Sequence, residues 1–193
     1  MVLDEVRLDP VTGWCSGIRH CPSPNFNARP GDEVSLLVIH NISLPPGAFG
    51  TGKVVEFFQN RLDPAEHPYF ASIAQLTVSA HFLIERTGAI IQFVSCRDRA
   101  WHAGVSTFEG REGCNDFSLG IELEGTDELP YTDAQYASLA HLSEEIRKVY
   151  PAIGPSRIQG HCDIAPVRKT DPGAAFDWGR YLASLGVTQE KNA

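Results

Sequence analysis

Hydrophobic and polar positions along the chain switch between two periods, one suited to strands and one to helices. Ser35-Leu36-Leu37-Val38-Ile39 is a nearly continuous apolar run, the pattern of a strand buried on both faces, and it ends on His40. Two further strands are predicted over Thr77–Ile84 and Ile90–Val94, joined as a hairpin around Thr87-Gly88. Residues 117–124 alternate: Phe117, Leu119, Ile121 and Leu123 share one face, and Ser118, Gly120, Glu122 and Glu124 the other. A short amphipathic helix fits Val54–Asn60. A longer one starts at Thr132, where Gln135 completes a capping box, and carries the stripe Tyr136, Leu139, Leu142, Ile146 and Val149 up to Pro151. Asp177 can cap a last helix with Trp178, Tyr181, Leu182 and Leu185. Residues 1–33, rich in Pro, Gly and Asn from position 10 onward, read as an irregular N-terminal arm, and 95–116 as a long functional loop. Strands interspersed with helices and a hairpin predict an α/β fold, a mixed central β-sheet flanked by helices, in a single domain over 1–193.

Composition narrows the partners. The 193 residues are 42% hydrophobic, enough for one compact domain with its own core. A net charge of −8 excludes a nucleic-acid partner, which needs a basic surface, but leaves room for small anionic ligands in a local cationic pocket. The first ten residues include Asp4, Glu5, Arg7 and Asp9 and show no export signal, and no apolar run is long enough to cross a membrane. Cys15, Cys21, Cys96, Cys114 and Cys162 are odd in number and scattered, as expected of reduced thiols in a cytoplasmic protein.

Three segments hold polar groups in places suited to chemistry. His40-Asn41 sits where a buried strand ends, and ligands of α/β sheets gather beyond strand ends. A core histidine with both ring nitrogens bonded is the competing account of a lone His. Residues 160–173 concentrate His161, Cys162, Asp163, Lys169 and Asp171 between Pro and Gly punctuation. Two imidazoles and a carboxylate would leave a tetrahedral zinc one open position, the arrangement of a catalytic site, although a solvated loop with a capping Asp explains the same residues. Glu122 lies on the polar face of its strand beside Gly120, which leaves room for a ligand, and can act as a general base. An ordinary solvent-facing Glu is the alternative, and Glu124 on the same face competes for the role. Cys162 beside His161 makes a poor nucleophile–base pair, because adjacent residues of an extended chain point apart. His81 and His102 are further candidates for substrate contact, with a structural hydrogen bond equally open to His81. His20, His67 and His141 read as structural or exposed.

Taken together, Val38-Ile39-His40-Asn41-Ile42-Ser43-Leu44-Pro45-Pro46-Gly47, Arg99-Ala100-Trp101-His102-Ala103-Gly104, residues 120–127 and residues 160–173 resemble the N-acetylmuramoyl-L-alanine amidases. The resemblance is to the cytoplasmic 1,6-anhydro-N-acetylmuramyl-L-alanine amidases of Gram-negative bacteria, and it runs in order from about residue 18 to residue 180. It implies the fold of phage amidase lysozymes and peptidoglycan recognition proteins. By position it makes His40, His161 and Asp171 ligands of one zinc ion per chain, Glu122 the proton acceptor and Lys169 the cation that stabilises the transition state. The implied substrate is a small molecule, a 1,6-anhydromuramyl peptide from recycled cell wall, whose removal lowers β-lactamase induction in species with that circuit. Trp101 would offer the sugar or peptide a flat face, Arg168 and Arg111 would meet stem-peptide carboxylates, and Asn41 and His102 would add contacts; the working form would be a monomer. Phage relatives carry a tyrosine where this chain has Ala80 and a cysteine ligand where it has Asp171. Thr77 and Gly113 fall where some relatives carry arginine. The alternative is a non-catalytic peptidoglycan-fragment binding module on the same fold, and a periplasmic wall-degrading amidase is a second rival.

Overall fold

The apolar run that ends on His40 and the alternating run that carries Glu122 lie side by side. In the computed structural model, which describes residues 3–186, they are neighbouring inner strands, second and third in a six-stranded sheet; the rest of the 1–193 span lies outside the described residues. The strands are β1 (Arg19–His20), β2 (Leu36–Ile42), β3 (Phe82–Ile84), β4 (Ile90–Gln92), β5 (Ser118–Glu124) and β6 (Ile158–Gly160), in the spatial order β6-β2-β5-β3-β4-β1. Every neighbouring pair is parallel except the β3–β4 hairpin. The helices are α1 (Lys53–Phe58), α2 (Pro68–Ile73), α3 (Asp133–Val149), α4 (His161–Ile164) and α5 (Trp178–Ser184). This is the expected mixed sheet flanked by helices.

The two faces of the sheet have different work. Leu37 and Ile39 of β2 and Leu119, Ile121 and Leu123 of β5 pack with Tyr136, Leu139, Leu142 and Ile146, the expected stripe of α3. Each such fully buried aliphatic side chain contributes about 1.5–3 kcal/mol. On the opposite face Leu36 and Val38 pack with Cys114, Ile164 and Phe117; Phe117 precedes β5 and so does not share the face of Leu119, Ile121 and Leu123 that the alternation gave it. The face of Leu36 and Val38 continues toward His40 and Glu122, so the apolar half-pattern anchors the strands while the other half points at the site.

Several boundaries differ from the sequence expectation. The arm over 1–33 is not irregular throughout: it supplies β1, which covers the open edge of β4, a ribbon of Arg7–Leu8 with Cys15–Ser16, and Phe26–Ala28 paired with Asp98–Ala100. Sheet edges need partners for their backbone groups, and a Pro/Gly-rich composition does not reveal which segment provides them. The strand expected over Thr77–Ile84 is confined to Phe82–Ile84. Upstream of it Ser79 is held by Asn25 and Trp101 instead, its hydroxyl donating to the Asn25 carbonyl at 2.6 Å and its N–H to the Trp101 carbonyl at 3.2 Å. Residues 158–164, expected as loop, form β6 and the single turn α4, and α2 was not expected at all. With six residues it shows no readable stripe, yet Pro68 stands at its start and His67 Nδ1 accepts from the Tyr69 N–H. β5 is buried along its whole length, so its polar face does not meet solvent.

The cap of α3 also ties the helix to the sheet. Thr132 and Gln135 form the expected capping box, and the Gln135 amide donates to the Ile84 carbonyl at 3.2 Å and the Glu124 carbonyl at 2.9 Å. Gln135 is fully buried, so these bonds have no water to replace them. We expect Thr132→Ala to cost about 1 kcal/mol, the usual worth of a cap. Gln135→Met, which strands two buried carbonyls, should cost about 2–3 kcal/mol. Urea midpoints at unchanged m-value measure both; equal costs would show that Gln135 acts only as a cap.

Candidate metal centre and active site

Register brings the site together. In the β2–β5 ladder His40 lies opposite Glu122, and in the β2–β6 ladder Ile39 lies opposite Gly160, so His161, the next residue, emerges beside His40. Neighbouring strands are about 4.8 Å apart, which leaves the three side chains within reach of one another at the carboxyl ends of parallel strands. Asp171 arrives by a returning loop. Its carbonyl accepts from the Cys162 N–H at 2.9 Å, and the next carbonyl, of Pro172, accepts from the Tyr131 hydroxyl at 2.7 Å and the Asn41 amide at 3.1 Å.

His40 Nδ1, His161 Nδ1 and Asp171 Oδ2 form a nearly equilateral triangle, with separations of 3.0, 3.0 and 3.1 Å. His161 Nε2 lies 3.0 Å from the Ala103 carbonyl, which can only accept. That nitrogen therefore carries the proton, and a neutral His161 aims its Nδ1 lone pair at a carboxylate oxygen. Acceptors so close repel unless a cation sits among them. Zinc bound by N and O ligands at about 2.0–2.2 Å holds tetrahedral neighbours about 3.3–3.6 Å apart, close to the observed triangle. Burial pushes His40 down to about 4, against the opposing effect of the adjoining Asp171 carboxylate. Burial also works to raise Asp171, but the His161 and His40 imidazoles beside it outweigh that and hold the carboxyl well below its usual range. At neutral pH His40 is thus uncharged and Asp171 charged, the forms that ligate. These three residues can hold a metal ion.

The two strand carboxylates separate cleanly. Glu124 accepts from the Gly50 N–H at 2.5 Å and the Arg86 N–H at 3.0 Å, one with each oxygen, and joins two loops. Glu122 is buried, its Oε2 has no hydrogen-bond partner among the described residues, and it lines the same cavity as His40, His161 and Asp171. Burial, reinforced by the Asp171 charge and opposed by Lys169, raises its carboxyl well above the usual range. Lys169 lines the cavity, where its charge acts on both His40 and Glu122.

The cavity, of about 760 Å³, has this polar end and an apolar wall from α1, α2 and the segment that follows, including Phe57, Phe58, Tyr69, Ile73, Leu76 and Val78. That wall was missed in the sequence, where short helices and isolated apolar residues carry no period. Asn41, Trp101, His102 and Arg168 also line the cavity, but three of them are already engaged by the protein. The Asn41 amide nitrogen donates to Asp127 and Pro172. Arg168 donates to the Ala103 and Val105 carbonyls. His102 has its Nδ1 at 2.9 Å from His40 Nε2 and its Nε2 at 3.2 Å from the Ser118 hydroxyl, so neither ring nitrogen is left for substrate. Trp101 donates its indole N–H to Asn27 and keeps its ring face available. Arg111 pairs with Glu33 and stacks on Phe117, and does not line the cavity. The space beside Gly120, read as room for a ligand, is filled by the His102 ring, which an added Cβ would meet at 2.5 Å. His81 is fully buried, its Nδ1 accepting from the Gly120 N–H. All five cysteines are free thiols.

Comparison with known proteins follows the same lines. The sequence profile of the family described as N-acetylmuramoyl-L-alanine amidase matches residues 30–174. The 1,6-anhydro-N-acetylmuramyl-L-alanine amidase AmpD of Haemophilus influenzae is 60% identical over 178 residues, covering 92% of this chain and 97% of the relative. A crystal structure of a selenomethionine AmpD derivative superposes with a TM-score of 0.88 at 55% identity, over 96% of this chain and 99% of that one. The Escherichia coli amidase AmiD, solved in complex with anhydro-N-acetylmuramic acid-L-Ala-D-γ-Glu-L-Lys, superposes with a TM-score of 0.59 at 30% identity, over 81% of this chain and 58% of that one. With a profile spanning most of its length and relatives this similar end to end, the chain belongs to the N-acetylmuramoyl-L-alanine amidase family.

Proposed function

We propose that the chain is a zinc-dependent hydrolase of the amide bond between 1,6-anhydro-N-acetylmuramic acid and the L-alanine of a stem peptide. The observation that carries this reading is the unpartnered oxygen of buried Glu122 in the same cavity as three convergent ligand atoms. A non-catalytic binding module has no use for that carboxylate, since an unsatisfied buried acceptor costs stability without return. The named substrate of the AmpD relatives supports the choice of amide.

His40, His161 and Asp171 would hold the ion, which when bound supplies a Lewis acid that acidifies water toward about pKa 7 and polarises the amide carbonyl. Lys169 opposes burial and Asp171, the two influences that hold Glu122 toward its neutral form, and so favours the carboxylate that can accept a proton. Glu122 then takes a proton from the attacking water and delivers it to the departing alanine nitrogen, a poor leaving group until protonated. Lys169 faces the developing oxyanion with a fixed charge, and losing such a group costs about 10²–10³ in rate. The apolar wall suits the anhydro sugar, and the Trp101 ring face offers a stacking surface beside it. Arg168, although tied to two carbonyls, brings positive charge to the rim where stem-peptide carboxylates would lie. We place the reaction in cytoplasmic cell-wall recycling by a monomer, with an indirect effect on β-lactamase induction where that circuit exists. Among the described residues no helix is long and apolar enough to cross a membrane.

Incubation with anhydromuramyl-tripeptide should release free tripeptide, detected by mass spectrometry, and a chelator should abolish release until zinc is returned. Undiminished activity in zinc-free protein would end the metal reading. Glu122→Gln should keep zinc and lose about 10²–10⁴ in kcat. Glu124→Gln, which weakens two backbone anchors, should lower the urea midpoint while the folded enzyme stays active; the reverse pattern would exchange their roles. Anhydro substrates should exceed ordinary muramyl peptides in kcat/KM, and equal values would refute the proposed substrate.

A further inference from the structure

Both proposed ligand histidines present Nδ1 to the ion site, so each must keep its proton on Nε2, and the source of that preference lies in one two-residue segment. For His161 the partner is the Ala103 carbonyl, a fixed acceptor 3.0 Å from Nε2. For His40 the partner is the neighbouring side chain, His102, whose Nδ1 lies 2.9 Å from His40 Nε2 with the two rings edge-on at 87°. An imidazole nitrogen can donate or accept, so this contact alone leaves the direction open. His102 Nε2 faces the Ser118 hydroxyl at 3.2 Å, and a hydroxyl can accept. One consistent assignment runs His40 Nε2–H to His102 Nδ1, then His102 Nε2–H to Ser118 Oγ, and leaves the His40 Nδ1 lone pair facing His161 and Asp171.

The segment is built to hold this position. The N–H groups of His102 and Ala103 both donate to Asn115 Oδ1, at 3.1 and 2.8 Å. Arg29 in turn donates to the Asn115 carbonyl at 3.0 Å and the Ser118 carbonyl at 2.8 Å. The ring of His102 lies against the bare backbone of Gly120, where a Cβ would come within 2.5–2.9 Å of three ring atoms. A glycine on the site face of β5, two positions before Glu122, is the notch that admits it. We propose that His102 is a positioning residue of the metal centre, accepting the His40 Nε2 proton and so fixing His40 in the tautomer that presents Nδ1 to the ion. This rests on the zinc reading above, and it replaces substrate contact as the role of His102.

Zinc affinity, measured by competition with a chromophoric chelator, tests it in the full-length protein. His102→Phe keeps the ring shape and removes the acceptor, and should weaken zinc binding about 10–100-fold. His102→Asn places an amide oxygen near the former Nδ1, and should restore much of that loss. Wild-type affinity in His102→Phe would overturn the proposal while leaving the zinc site standing. Equal weakening in both variants would assign the effect to packing and overturn it too. Wild-type protein that takes up no zinc would sink the metal reading itself, and this inference with it. Should the variants fail to fold, long-range ¹⁵N–¹H spectra of the zinc-loaded wild type give an independent readout. They should show His102 protonated on Nε2 and bare on Nδ1, and the opposite pattern overturns the proposal.

Discussion

The site depends on the register of two parallel ladders. With His40 opposite Glu122 and Ile39 opposite Gly160, three adjacent strands deliver at one level an imidazole, a carboxyl and the start of the segment that carries the second imidazole. A slip of one residue in β2 would turn His40 toward α3 and bring Ile39 to the cavity, because side chains alternate with period two. The register is held from the opposite face, where Leu37, Ile39, Leu119, Ile121 and Leu123 pack on the stripe of α3. The core and the site are thus two readings of the same strands, and the packing of one specifies the geometry of the other.

On that frame the chain places acceptors where an ordinary core would place apolar groups. Three acceptor atoms within about 3 Å of one another carry no proton to share if both histidines are protonated on Nε2, an arrangement that favours positive charge among them. Glu122 adds a fourth buried acceptor. Its neighbours press it toward the neutral form, and Lys169 presses the other way. Glu124, two residues on, shows what a carboxylate of the same strand looks like when its task is structural, with both oxygens bonded to backbone N–H groups. The contrast separates a carboxyl with an unpartnered oxygen in the cavity from one whose two oxygens are both tied to backbone.

The outer layer follows the same economy. Asn115 fixes two consecutive N–H groups, and the residues that bear them engage the Nε2 atoms of His40 and His161. Asn41 and Tyr131 act likewise on the other side, holding the Pro172 carbonyl beside Asp171. Asn41 and His102, expected to contact substrate, line the cavity with their nitrogens engaged by protein partners, while Trp101 and the apolar wall of α1 and α2 present open surface.

The sequence alone determined the sheet and its helices wherever a period could be read. The apolar run ending on His40, the alternation through Glu122 and the capping box at Thr132 are local signals, and the structure bears them out. It also determined the family, through motifs that resemblance could recognise, and with them the expectation of His40, His161 and Asp171 as one cluster, which the structure brings together. Tertiary structure decided what local pattern cannot carry. Period two assigns Glu122 and Glu124 to one face and stops there; which of them is satisfied depends on Gly50 and Arg86, distant in the chain. The partner of His40 Nε2 lies 62 residues away and that of its Nδ1 121 residues away, so no window of sequence contains them. Gly120 read as space for a ligand because a missing side chain is visible in sequence and the ring that fills the space is not. α2 and β6 escaped for a related reason, since elements of six and three residues are stabilised by what they pack against rather than by any period of their own.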